Sequence, residues 1–244
     1  MSKDGFDNES KIKEEINNKN YSILNKTFRE LIKESFTSYG DSKISCKKEG
    51  GQNKSDLLIK INKSKKKIRL SVKKGSGNSV HQEPVEDFLK FLEKEFKISD
   101  SLKNDFRLFI WGDYSTDGAG NKKDRLSAGE FKRKFPDVVE RISKFMDLHK
   151  RKLIERFVVL GPKSKQRPDY IYYGGPREGV WADSNKVIDF LSKSKSKSAV
   201  PVGKLTFQAW NRAIKEDSRS EHKRGVIQLK WPTVKEDLQE LMKR

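Results

Sequence analysis

The 244-residue sequence contains a single cysteine, Cys46, and only three histidines. A lone cysteine excludes an internal disulfide and a cysteine-based zinc cluster. The three histidines, His81, His149 and His222, lie far apart in the chain and do not predict an all-histidine zinc site. Any metal bound by the protein is therefore expected to be a hard cation, held by carboxylate and carbonyl oxygens.

Long hydrophobic stretches are also missing. No apolar segment approaches the roughly 20 residues that span a bilayer, and the N-terminal residues 1–9 lack the hydrophobic core of a secretion signal. The sequence predicts a cytoplasmic protein without a membrane segment.

Acidic residues are few relative to basic ones. The chain has 54 Lys and Arg against 35 Asp and Glu, a net charge of +19. This excess is more than solubility requires, so a polyanion is the expected partner, with nucleic acid first and an anionic membrane surface second. With 14 Phe, 4 Trp and 6 Tyr to anchor a core, the chain is not a disordered polyelectrolyte.

The spacing of apolar residues predicts an α/β protein. Residues at helical spacing predict helices in the ranges 6–18, 23–36, 84–96, 127–134, 136–150, 183–191 and from 233 onward. The segment 102–111 fits a helix or a buried strand, and we favour a helix. Short apolar or alternating segments predict strands at 44–47, 57–61, 68–72, 156–160, 169–173, 204–210 and 225–231. We expect the fourth and fifth of these strands to pair and the last two to form a C-terminal hairpin.

Two local features refine these boundaries. Pro84 is expected at the first position of its helix, because deeper in the helix its ring would disrupt the preceding turn. Glu83 would then cap that helix. Thr233 and Glu236 have the spacing of a capping box at the start of the last helix.

The strands at 57–61 and 68–72 predict a hairpin whose ends carry opposite charges. Asp56 precedes the first strand and Lys73 ends the second. Folding the hairpin brings this carboxylate and this ammonium to the same end of the sheet. An exposed surface ion pair is the simpler explanation of this pattern taken alone.

A site of this composition suits phosphodiester hydrolysis. Carboxylates hold Mg²⁺ against the scissile phosphate, and a cation offsets the charge that develops on the phosphate oxygens. Asp56 would be the bridging ligand and the carbonyl of Val72 a further ligand. Glu83 or Glu86 would supply the second carboxylate. Lys73 would position the attacking water and stabilise charge.

Asp56 followed by Ser71-Val72-Lys73 resembles the site of the PD-(D/E)xK nucleases, a superfamily that includes many type II restriction endonucleases. The sequence departs from the usual motif twice, since Ser55 replaces proline and Ser71 replaces the usual acid. Some members with Ser-x-Lys take the missing carboxylate from the following helix, which suits Glu86 with Glu83 just before it. Other members lack such a replacement.

The resemblance extends, with weaker motifs, over most of the chain. The opening Lys3-Asp4-Gly5-Phe6 and Asn8-Glu9, the segment 157–173 and the hairpin 204–230 are similar to small restriction endonucleases that cut short palindromes. In such enzymes the acid at Glu9 contributes to the metal site. The alternative is an ordinary acid on a helix surface.

The resemblance implies a single nuclease domain over residues 1–244. Its fold would be restriction-endonuclease-like, a mixed central β-sheet flanked by helices with a C-terminal β-hairpin. Residues 1–150 would form the N-terminal helices and catalytic core, and residues 151–244 would complete the sheet and recognise DNA.

The implied activity is Mg²⁺-dependent cleavage of double-stranded DNA at a short specific sequence. Such an enzyme would serve a restriction-modification system in a prokaryotic cell, as a monomer or a homodimer. Two alternatives stay open: a structure-selective repair or recombination nuclease on the same fold, and a non-catalytic DNA-binding protein.

Side chains suited to DNA binding fall in two late segments. Lysines can neutralise phosphates, while Arg, Asn and Gln can pair with purine edges in the major groove. The candidates are Lys163, Lys165, Gln166 and Arg167 in the first segment, and Gln208, Asn211, Arg212, Arg219, His222 and Arg224 in the second. Each taken singly is equally compatible with a phosphate contact or a solvated side chain.

Overall fold

The structure is a computed structural model, and it describes residues 3–40, 42–49, 54–62, 64–75, 79–162, 166–210 and 220–243. Its α-helices are α1 Lys3–Ile16, α2 Lys26–Ser35, α3 Val85–Phe96, α4 Asp100–Trp111, α5 Ala128–Lys134, α6 Pro136–Leu148, α7 Lys150–Ile154, α8 Ser184–Lys193 and α9 Val234–Met242. Its strands are β1 Lys19–Asn20, β2 Lys43–Lys48, β3 Leu57–Ile61, β4 Lys67–Lys73, β5 Ser79–Pro84, β6 Tyr170–Gly174, β7 Gly179–Asp183, β8 Pro201–Val202, β9 Leu205–Ala209 and β10 Val226–Lys230. Within these ranges, no helix has the length and apolar character needed to cross a bilayer.

The strands form two sheets, which confirms the predicted α/β class with a mixed sheet. The first sheet has six strands in the order β1-β2-β3-β4-β6-β7. In it β4 and β6 run parallel, whereas the other neighbours are antiparallel. The second sheet is antiparallel, with the order β5-β10-β9-β8. The pairing of β9 with β10 confirms the predicted C-terminal hairpin.

The chain forms two compact units, each made of separate segments. The first comprises Met1–Asn78, Val158–Phe190 and Pro232–Arg244, and the second comprises Ser79–Phe157 and Leu191–Trp231. The predicted single nuclease domain, with its division at residue 150, stays a prediction.

The first unit is built around the six-stranded sheet. Strand β3 alternates between the two faces of the sheet: Leu57, Ile59 and Ile61 are buried and Lys60 is exposed. Helix α2 covers the sheet through Phe28, whose ring stacks on that of Tyr172 with centroids 5.5 Å apart. Each fully buried side chain of this kind contributes about 1.5–3 kcal/mol. The core cluster to which Phe28 belongs also contains the buried side chains of β3 and β4, so this packing holds the hairpin of β3 and β4 in place.

The second unit has an aromatic core. The ring of Phe88 on α3 lies 5.7 Å from that of Phe106, 5.6 Å from that of Phe157 and 5.7 Å from that of Phe207, measured between centroids. All four side chains are fully buried. The core therefore joins α3 and α4 to the inner face of the four-stranded sheet.

The predicted strand at 156–160 is wrong. Residues Glu155–Leu160 form a π-helical turn that follows α7. Because Phe157, Val158 and Val159 are all buried, the segment shows no period that separates a strand from a buried helix. The predicted partner, β6, pairs instead with β4 and β7.

The predicted start of the third helix is also wrong. Pro84 ends strand β5 and is the N-cap residue of α3, which begins at Val85. Glu83 is therefore a strand residue and pairs across the sheet with Ile227. This pairing joins distant parts of the chain, and no local pattern reveals it.

The predicted helices elsewhere are confirmed, with boundaries that differ by a few residues. The capping box at the last helix is wrong, because Thr233 makes no side-chain cap to the helix backbone. Its hydroxyl instead donates to Asp237 Oδ2 at 2.8 Å.

Candidate active site

The hairpin of β3 and β4 brings Asp56 and Lys73 together. Leu57 lies opposite Leu70 in the antiparallel pair, and the amide of Asp56 donates to the carbonyl of Leu70 at 2.8 Å. The lysine Nζ consequently lies 4.0 Å from Asp56 Oδ2. The expected convergence of the two charges at one sheet end is present in the structure.

A serine hydroxyl lies between these two side chains. Lys73 Nζ donates to Ser71 Oγ at 2.7 Å, and Ser71 Oγ donates to Asp56 Oδ2 at 3.5 Å. The amide of Val72 donates to the same carboxylate oxygen at 2.6 Å. Ser71 is fully buried, so it holds the lysine and the carboxylate in one orientation.

The charged form of the Asp56 carboxylate is destabilised by its surroundings. Burial raises its pKa, and the charge of Lys73, the Val72 amide, Lys54 and the Ser71 hydroxyl offset this rise only in part. The side chain is 8% exposed, so water solvates the charge poorly. A cation at this position would stabilise it.

Glu9 on α1 is a second buried carboxylate beside this group. It is 6% exposed, and Lys48 Nζ lies 3.1 Å from its Oε2. Burial and the charge of Asp56 raise the pKa of Glu9, while Lys48 and Lys73 lower it. Lys48 lies opposite Leu57 in the pairing of β2 with β3, and Leu57 directly follows Asp56, so the bond to Lys48 places Glu9 at the same end of the sheet. Its burial distinguishes Glu9 from an acid that is exposed on the helix surface.

The spacing of Glu9 from the apolar residues of α1 indicates that its side chain is buried. Glu9 precedes Ile12 by three residues and Ile16 by seven, and both isoleucines are fully buried. Residues at these spacings share one face of a helix. The apolar stripe of α1 is thus the signal in the sequence that places this acid on the buried side of the helix.

A second network fixes the residue before Asp56. The Ser55 hydroxyl bonds to Glu49 Oε2, and Arg69 Nε donates to the same carboxylate at 3.0 and 3.2 Å. Arg69 on β4 is in turn tied to Asp169, which accepts from its amide at 2.7 Å. Ser55, which stands where the resemblance expects proline, is thus anchored by side-chain hydrogen bonds.

Glu83 lies in the second unit, in a buried group of charges. Its Oε1 is 2.8 Å from His81 Nε2, and its Oε2 accepts from Arg156 at 2.6 Å. Burial raises the pKa of Glu83, but the bonds and charges of His81 and Arg156 outweigh it and leave the pKa lowered. Both carboxylate oxygens therefore have partners within this unit.

Glu86, also in the second unit, forms a two-pronged pair with Arg107, with both N···O distances 2.8 Å. This hydrogen bonding lowers the pKa of Glu86. The side chain is 51% exposed, so this pair lies at the surface.

The donors around Asp56 fit a hard cation. In the part of the chain that the structure describes, no three or more His, Cys, Asp or Glu side chains are grouped as metal ligands. Mg²⁺, however, is commonly held by one or two carboxylates and keeps several waters. Asp56, Glu9 and the carbonyl of Val72 supply oxygen atoms of this kind.

The predicted DNA-binding residues of the first segment are partly described. Arg167 is exposed and donates to Asn185 Oδ1 at 2.5 Å. Gln166 is half-buried. Lys163 and Lys165 lie outside the described residues.

In the second segment, Gln208 is half-exposed on β9 and donates to Gln228 Oε1 at 3.0 Å. His222 is exposed in the turn before β10. Arg224 is 5% exposed and donates to Asp113 Oδ2 at 2.7 Å. The remaining candidates, Asn211, Arg212 and Arg219, lie outside the described residues.

Comparison with known proteins found similarity to solved structures and no match to a protein family or a curated protein. Among solved structures, the chain is similar to the restriction endonuclease MspI, crystallised with its cognate DNA. The two share 20% identity, with a TM-score of 0.48, over 77% of this chain and 70% of the other.

Proposed function

We propose that the protein is a Mg²⁺-dependent endonuclease that cleaves double-stranded DNA at a short specific sequence, as a type II restriction endonuclease does. The observation that carries this proposal is the hydrogen-bonded series Lys73–Ser71–Asp56 at the end of one sheet, with the buried Glu9 held at the same end by Lys48. The net charge of +19 supports a nucleic-acid substrate.

Each residue has a role that follows from its chemistry. Asp56 and Glu9 would hold Mg²⁺, which when bound polarises the scissile phosphate and lowers the pKa of a water nucleophile. Lys73 presents an ammonium that can orient the attacking water and offset the charge developing on the phosphate oxygens. Ser71 accepts from this ammonium and so positions it.

Replacement of the usual acid by Ser71 is compatible with activity. A buried serine that bonds to both catalytic side chains keeps the site polar and ordered. We propose that Glu9 supplies the second carboxylate. Glu83 and Glu86, the residues that the resemblance suggested, have arginine partners in the second unit and are the alternatives to be tested.

Plasmid DNA incubated with the purified protein, with Mg²⁺ or with EDTA, tests the function. Discrete fragments that appear only with Mg²⁺ are the expected result. Smeared products, or cuts confined to branched substrates, would favour a repair or recombination nuclease. Intact DNA that is retarded in a gel would favour a non-catalytic DNA-binding protein.

Variants of the three glutamates identify the second carboxylate. Glu9→Gln should abolish both cleavage and the increase in melting temperature that Mg²⁺ produces. Glu14→Gln, an exposed position on the same helix, is the matched control and should behave as the wild type. If Glu86→Gln or Glu83→Gln, but not Glu9→Gln, removes the effect of Mg²⁺, the assignment of Glu9 is wrong.

A further inference from the structure

One face of the four-stranded sheet of the second unit carries a row of glutamines. Antiparallel pairing places Gln82, Gln228 and Gln208 directly side by side on β5, β10 and β9. Two residues further along the strands, Lys230 lies beside Thr206 on the same face. The opposite face packs into the aromatic core.

Hydrogen bonds join the three amides into one row. Gln208 Nε2 donates to Gln228 Oε1 at 3.0 Å, and Gln228 Nε2 donates to Ser79 Oγ at 3.1 Å. Gln82 Nε2 donates to the same hydroxyl at 3.0 Å. An amide has two N–H donors and an oxygen acceptor, so these bonds orient the amides while using one N–H of each.

Exposure differs along this row. Gln228 at its centre is only 7% exposed, whereas Gln82 and Ser79 are exposed and Gln208 is half-exposed. The buried central amide therefore anchors two outer amides that face solvent. Such a row presents preoriented donors and acceptors at low cost in conformational entropy.

The charge of the segments that form this sheet indicates the kind of partner that could bind it. The described residues of the segment that supplies three of the four strands, 191–210 and 220–231, contain seven Lys and Arg and one Glu. Residues 79–157, which supply the helices α3 to α7, are nearly balanced, with seventeen basic and fifteen acidic residues. Among the described residues of the face itself, Lys230 is charged and none is acidic. A polyanion with hydrogen-bonding groups is complementary to such a surface.

We propose that the row Gln82–Gln228–Gln208 reads base edges in double-stranded DNA, with Lys230 neutralising a phosphate. The inference rests on the proposed function insofar as it takes DNA as the ligand. Strands lie about 4.8 Å apart, so three amides span roughly 10 Å, a width that fits the major groove of about 12 Å. Glutamine pairs in two-pronged fashion with N6 and N7 of adenine, which predicts an adenine in the preferred site.

Selection of bound duplexes from a random DNA library, in EDTA so that bound DNA is not cut, tests this inference apart from cleavage. The wild-type protein should enrich a motif that contains adenine. Gln208→Ala and Gln82→Ala should each relax one or two positions of that motif, by roughly 5- to 150-fold in discrimination. Lys230→Ala should lower affinity for all sequences alike and reduce the salt slope of binding by about one phosphate contact.

Gln239→Ala is the matched control, because it makes the same change at an exposed position of α9, and it should leave the motif unchanged. Urea unfolding verifies that the compared variants are folded. The inference is overturned if the wild type enriches no motif, or if the folded Gln208 and Gln82 variants enrich the wild-type motif with equal strength. A glutamine-dependent motif in a protein that fails to cut plasmid would support the inference while refuting the proposed function.

Discussion

Replacing Lys73 by alanine removes the ammonium that is proposed to face the reacting phosphate. At 4.0 Å from Asp56 Oδ2, its interaction with a unit negative charge amounts to about 4 kcal/mol at an effective dielectric constant of about 20. The lysine side chain is 20% exposed, so screening reduces this value. We therefore expect the cleavage step to slow by roughly 10²- to 10³-fold, the usual cost of removing one charge-stabilising group.

The same change should alter the pH dependence of any residual cleavage. Among the groups that lower the pKa of Asp56, Lys73 is the largest, while burial raises it. Without the lysine the pKa of Asp56 rises further, and the carboxylate needs a higher pH to become charged. The pH at which cleavage reaches half of its plateau should therefore shift upward.

Single-turnover cleavage at saturating DNA measures these effects separately from binding. Lys74→Ala is the control, because it removes an equal charge from the adjacent exposed residue. It should lower affinity slightly and leave the rate of the cleavage step unchanged. Cleavage by Lys73→Ala within about threefold of the wild-type rate, a change of less than 1 kcal/mol in the barrier, would refute the role of this lysine.

Three further predictions concern stability and reactivity. Glu83→Gln should destabilise the protein at neutral pH by about 3–5 kcal/mol, because it leaves Arg156 without its buried charged partner. Since the pKa of Glu83 is lowered in the folded protein, the stability that its charged form contributes is present above the pKa of the unfolded chain and is lost in acid. Urea unfolding compares this variant with Glu86→Gln, which removes an exposed ion pair worth at most about 1 kcal/mol. Equal losses of unfolding free energy in the two variants would refute the prediction. Asp56→Asn should raise the melting temperature in EDTA at alkaline pH by a few degrees, because the stability linked to the raised pKa of Asp56 is present in acid and is lost as pH rises. The same variant should show no increase in melting temperature with Mg²⁺. An increase equal to that of the wild type would contradict this prediction. Cys46, buried and with its pKa raised to about 12, should resist alkylation at pH 8 in the native protein and react in urea, and rapid native labelling would oppose this.

The hairpin at the site could be predicted from sequence because its information is local. Two strands joined by a short turn pair with each other, so the positions of Asp56 and Lys73 follow from the pattern alone. The pairing of β5 with β10 brings together residues that are more than a hundred positions apart in the chain, and periodicity contains no information about it. The strand prediction at 156–160 was wrong for a related reason, because a uniformly buried segment shows no periodicity that separates a strand from a helix.

The glutamates illustrate the same limit within the site. Glu83 and Glu86 follow Lys73 closely in sequence, yet each is engaged by an arginine of the second unit. Glu9 is far from Asp56 in sequence and is nevertheless its electrostatic neighbour. Proximity in sequence therefore does not tell which carboxylates share a site in the fold, whereas the spacing of Glu9 from Ile12 and Ile16 contains the signal for its burial.

The end of the β3–β4 hairpin at Asp56 is where we propose that DNA is cut. The most direct test of this proposal is single-turnover cleavage of duplex DNA by Asp56→Asn with Mg²⁺, with DNA binding measured in the same samples. Binding equal to that of the wild type, together with loss of cleavage, is the predicted result. Cleavage at the wild-type rate by this variant would show that Asp56 is not part of the active site.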